Sequence, residues 1–120
     1  MWFQALKSVV HPVIDNHRKE LQKHVRVAML DTGVDATHPE IRTAIDLKRV
    51  VNWFPDSAHQ TSNPHSLGPL GDHHGHGTHV TSVLLQTAPN ADVYIARVAD
   101  QDGKLRCDEI PRVLHFLRLY

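Results

Sequence analysis

The chain has 120 residues, 41% of them apolar and 22% charged, which fits one globular domain with a single core and argues against a disordered chain. Thirteen basic residues cancel thirteen acidic ones and no run of one sign stands out, so neither nucleic acid nor an anionic membrane is an expected partner. Cys107 is the single cysteine, which excludes an internal disulfide, and no stretch approaches the roughly 20 apolar residues of a membrane span. The opening MWFQALKSVV has neither a long apolar core nor a small-residue cleavage site, so the sequence predicts a cytoplasmic protein.

In chain order, Phe3, Leu6, Val9 and Val10 fall at helical spacing, with Pro12 expected to interrupt them, and His17 to His24 is charged and helix-compatible. Residues 1–24 thus read as an N-terminal helical segment set before the domain proper. VRVAMLD, Val25 to Asp31, is an apolar run that predicts a strand buried on both faces, hence a parallel sheet. TGVDATHPE reads as a loop. Arg49 to Phe54 is the second predicted strand, and Pro55 to Asp72, with its serines, prolines and glycines, a long surface loop. Thr78 to Thr87 predicts a helix with Val80, Val83 and Leu84 on one face, ended by Pro89-Asn90. Ala91 to Ala99 is the third strand, DQDGK a turn, and Asp108 to Tyr120 a last amphipathic helix on Ile110, Val113, Leu114 and Leu117. Strands alternating with helices give a three-layer α/β fold, a parallel β-sheet flanked by helices.

MLDTGVD admits two chemistries. A retropepsin-like aspartic protease places Asp-Thr-Gly at the tip of a β-loop and shares a carboxylate dyad between two short subunits. That fold is all-β with a glycine-rich flap, whereas this chain has helical stretches and no such flap. A serine protease of the other kind ends a core strand on the same tripeptide and needs a histidine downstream. GHGTHV, Gly75 to Val80, supplies one.

With VAMLDTGVDATHPE, DHHGHGTHVTSVL and APNADVYIARVADQDG taken together, residues 25–120 resemble the N-terminal part of the catalytic domain of subtilisin-like serine proteases, the subtilases. The resemblance implies serine endopeptidase activity on polypeptide substrates, with Asp31 on the family's catalytic aspartate and His76 on its catalytic histidine. The chemistry asks for these residue types: an imidazole takes the proton of a serine hydroxyl, and a carboxylate on its other nitrogen fixes the tautomer and stabilises the imidazolium. Asp102, Gly103, Lys104 and Leu105 resemble the strip that pairs with an extended substrate; an ordinary turn explains them equally.

The nucleophile's usual Gly-Thr-Ser context occurs nowhere in the chain. Ser8, Ser57, Ser62, Ser66 and Ser82 stand in other surroundings, and Ser82 is expected to point away from His76. The expectation is therefore a partial catalytic domain without the nucleophile-bearing half, inactive by itself, or a non-catalytic remnant or binding module. In the resembling fold the strand ending at Asp31 lies inside the sheet, so its exposed edge here predicts self-association. No cofactor is expected. Asp72, His73, His74, His76 and His79 are metal-ligand types, but not at a recognised zinc spacing. Some relatives bind Ca²⁺ nearby, for which Glu40 alone offers too few oxygens.

Overall fold

A computed structural model of the chain describes residues 1–21, 24–53, 71–100, 102–108 and 110–118. The elements run α1 (Trp2–Ala5), a π-helical turn (Leu6–Val10), α2 (His11–Leu21), β1 (Arg26–Asp31), α3 (Pro39–Asp46), β2 (Val50–Trp53), α4 (His76–Thr87), β3 (Asp92–Arg97) and α5 (Ile110–Leu117). Most of the predicted 55–72 loop, and Phe54 of the second strand, lie outside the described residues.

The three strands form one parallel sheet in the order β1-β3-β2. β3 sits centrally and is buried towards both faces: Val93 and Ile95 are fully buried on one side and Ala96 on the other. One core joins Met29 of β1, Val50 of β2 and Val93 and Ile95 of β3 to Ile41, Ala44 and Ile45 of α3 and Leu85 of α4. A smaller cluster sets Val113 of α5, with Ile110 and Leu117 beside it, against Ala96 and Val98. These are the three predicted layers: α3 and α4, the sheet, then α5. The described residues form no flap-bearing all-β lobe, so the aspartic protease alternative fails on architecture.

The structure corrects several local expectations. Pro12 does not interrupt the first helical stretch. The preceding turn widens so that the His11 amide donates to the Leu6 carbonyl, and Pro12, which has no N–H to donate, sits at the second position of α2. β1 is not buried on both faces: Met29 is buried and Val27 half-buried, while Arg26, Ala28 and Leu30 are exposed, because the cluster that α5 makes on that side of the sheet includes no residue of β1. Pro39 and Glu40, read as loop, open α3, with proline in the first turn where its missing N–H costs nothing. Val83 faces outward, the buried face of α4 being Gly77, Thr81 and Leu85. α5 is shorter than expected and leaves Leu114 exposed.

Candidate active site

β1 carries Asp31 to the C-terminal edge of the sheet, and α4 begins at His76. Between strand and site the chain turns at Gly33, φ 106°, and the helix is entered through Gly75, φ 88°, both in the left-handed region that glycine enters without strain. The two motifs meet there. His76 Nδ1 lies 2.8 Å from Asp31 Oδ1 and 3.0 Å from Oδ2. Facing a carboxylate, Nδ1 is the protonated nitrogen, which leaves Nε2 as the basic one. The imidazole is largely exposed and the carboxylate mostly covered, with 59% and 14% of their side-chain surfaces open. The hydrogen bond and charge of Asp31 raise the His76 pKa above its ordinary 6.5, with a smaller push from Asp72.

A close backbone approach permits this meeting. A Cβ on Gly77 would sit 2.1 Å from the Gly33 carbonyl oxygen, so only glycine lets the start of α4 press onto the loop after Asp31. Cross-braces then lock the two motifs. Thr32, buried, accepts the Gly77 amide at 3.0 Å, and Thr78 accepts the Asp35 amide at 2.9 Å. Both hydroxyls donate to one carboxylate, Thr32 to Asp72 Oδ1 at 2.8 Å and Thr78 to Asp72 Oδ2 at 2.7 Å. Asp72 also accepts the amides of Thr78 at 2.7 Å, Gly75 at 2.8 Å and His74 at 3.2 Å. Partial burial pushes its pKa up, but the bonds from Thr78, Thr32 and Gly75 outweigh this and hold it below the ordinary carboxylate value. Sequence reading named Asp72 only as a candidate ligand and passed over Thr32 and Thr78. The available signal was a hydroxyl residue one position after the aspartate and two after the histidine.

The other predicted residues separate into roles. Asp35 accepts the Thr37 amide and hydroxyl at 2.8 and 2.7 Å, bonds that keep its pKa low and order the loop. Glu40 receives Ser82 Oγ at 2.5 Å and Gln86 at 3.3 Å, tying α3 to α4. Ser82 is thereby turned away from His76, and Ser8 donates to the Ala5 carbonyl; the remaining serines lie outside the described residues. His73 and His79 are exposed, and His74 lies over Gly103, its ring 6.4 Å from that of His76. Among the described residues no three His, Cys, Asp or Glu side chains converge as a metal site.

The predicted substrate strip is a tight turn. Asp100 Oδ1 accepts the amides of Asp102 and Lys104, Gly103 takes φ 76°, and Leu105 bridges antiparallel to Ala99 with its side chain exposed.

The sequence model of the Subtilase family matches residues 22–111. The chain is 39% identical over 82 residues to "Subtilisin-like protease PopC" of Myxococcus xanthus (strain DK1622), covering 65% of this chain and 17% of that one. It is 33% identical over 101 residues to "Intracellular serine protease" of Paenibacillus polymyxa, covering 77% and 28%. To "Subtilisin E" of Bacillus subtilis (strain 168) it is 28% identical over 89 residues, covering 67% and 20%. The chain thus spans less than a third of the length of each of these relatives.

Proposed function

This chain belongs to the subtilase family, and from that premise we propose that it carries the base and its orienting carboxylate for a serine endopeptidase. The observation that carries the reading is the His76 Nδ1 to Asp31 contact of 2.8 Å. In this reading Asp31 holds the imidazole so that Nε2 faces outward. Nε2 takes the proton of a serine hydroxyl as the serine attacks a peptide carbonyl, then returns it to the leaving amine. The raised His76 pKa follows from the same contact, and since the unprotonated imidazole is the base, activity rises with pH through that pKa.

The nucleophile is not among the five serines of this sequence in our reading, so these 120 residues do not hydrolyse peptides by themselves. Residues 25–120 act as part of a catalytic domain and residues 1–24 as an appended helical segment. A polypeptide substrate pairs along Asp102, Gly103, Lys104 and Leu105. The support for that strip is its place on the 98–106 hairpin, where His74, two residues before the base, overlies Gly103. Among the described residues no helix is long and apolar enough to cross a bilayer.

A fluorophosphonate probe, which labels only an activated serine, tests the reading in two arms. The 120-residue chain is expected to stay unlabelled. Joined to a subtilase segment bearing Gly-Thr-Ser, it is expected to label, and to lose labelling about 10²–10⁴-fold on His76→Ala. Stoichiometric labelling of the short chain, or equal labelling of the joined His76→Ala protein, would refute it.

A further inference from the structure

Among the described residues Asp31 Oδ1 has three neighbours that can donate to it: His76 Nδ1 at 2.8 Å, the Thr32 amide at 2.7 Å and the Thr32 hydroxyl at 3.3 Å. The hydroxyl has one hydrogen and two acceptors in reach, and the nearer is Asp72 Oδ1 at 2.8 Å. The hydrogen therefore goes to Asp72. The Thr32 oxygen then keeps its lone pairs for the Gly77 amide at 3.0 Å, and His76 shares Asp31 Oδ1 only with the backbone. Thr78 repeats the pattern. Its hydrogen goes to Asp72 Oδ2 and its oxygen accepts the Asp35 amide. A threonine of each motif thus accepts a backbone amide of the other, and one carboxylate sets the direction of both hydroxyls.

From this we propose that Asp72 is a positioning residue for the Asp31–His76 pair: it fixes the Thr32 and Thr78 hydroxyls so that the two motifs lock together and Asp31 Oδ1 stays open to His76. Removing the Asp72 charge does two things. It frees the Thr32 hydrogen to turn to Asp31 Oδ1, where it competes with His76, and it removes the second anion acting on the imidazole. An asparagine in its place presents an NH₂ to donors that need an acceptor, so it cannot serve Thr32, Thr78 and Gly75 together. The carboxylates acting on His76 are Asp31 from β1 and Asp72 from the loop before α4, and the His74 ring lies 6.4 Å away. The inference rests on Asp31 and His76 forming a working pair, and the test separates the two claims.

The experiment is an NMR titration of the His76 ring in the 120-residue chain, its resonance assigned by difference from His76→Gln. It is repeated in Asp31→Asn, Asp72→Asn and Asp72→Ser. The serine variant keeps a short acceptor for the Thr78 amide without the charge, and so reads the same effect if the asparagine variant does not fold. The His76 midpoint is expected to be highest in the native chain, to drop most in Asp31→Asn, and to drop by about 0.2–0.7 of a unit in either Asp72 variant, the size of an exposed charge interaction. A folded Asp72 variant with the native midpoint overturns the proposal, leaving Asp72 a cap for α4 alone. A native midpoint unmoved by Asp31→Asn overturns the pair itself, and this inference with it.

Discussion

At the scale of single residues, the site is a set of carboxylates sorted by what donates to them. Asp31 faces the imidazole, Asp35 its own loop, Asp72 two threonines and the start of α4, and Glu40 the Ser82 hydroxyl. Two of them give a pH prediction with opposite sign to that of His76. Asp35 and Asp72 are held below the ordinary 3.8, so their ionised forms stabilise the fold above that value, and the contribution is lost as pH falls through the lowered pKa values. His76 is raised above 6.5, so its contribution is complete below 6.5 and is lost as pH rises through the raised value. Melting temperatures taken from about pH 6 down to about pH 3 should fall more steeply for the native chain than for Asp72→Asn. Parallel acid limbs would show that Asp72 gains nothing from ionisation in the fold. The contact between Asp31 and His76 was legible in the sequence because each sits in a motif that resembles one of the family's. Asp72 was not, since its role depends on a fold that brings Thr32 and Thr78 to its two oxygens.

At the scale of elements, the contact of α4 with the loop after β1 decides how Asp31 meets His76. Gly77 lies against the Gly33 carbonyl where no side chain fits. Gly77→Ala should therefore lift the start of α4, at about 1–3 kcal/mol of stability, the range for forced overpacking. It should also lower the His76 midpoint towards 6.5 as the carboxylate moves off. Melting curves and the ring titration check the two effects, and a variant that keeps native values of both would show that the approach is looser than described.

Strand and helix identities were mostly legible. Val25 to Asp31, Arg49 to Phe54 and Ala91 to Ala99 each contain an observed strand. α3 was missed although Ile41, Ala44 and Ile45 repeat at helical spacing after a proline, because the family's loop motif runs into it. The two-sided burial assigned to β1 belongs to β3, since among the described residues only the central strand has a neighbour on each edge and a helix on each face. The apolar composition of β1 suits such a place, but composition does not say which strands flank it.

For the whole molecule, the sheet ends at β1 with Ala28 and Leu30 exposed beside an edge that no described strand covers. Open edges of this kind pair with other chains. We propose that the 120-residue chain self-associates through that edge. Sizing chromatography across a dilution series should show concentration-dependent growth, and Leu30→Lys should suppress it by placing a charge beside the edge. A chain that stays monomeric at every concentration, with a sharp cooperative melt, would contradict this.

Everything proposed for catalysis depends on the Nδ1 hydrogen of His76 being held by the Asp31 carboxylate. Proton NMR of the 120-residue chain at low temperature observes that hydrogen directly. The account predicts a strongly deshielded ring N–H resonance, assigned to His76 through its ¹⁵N coupling and lost in Asp31→Asn. A His76 ring without such a resonance, or one that keeps it when Asp31 is changed, would contradict the account.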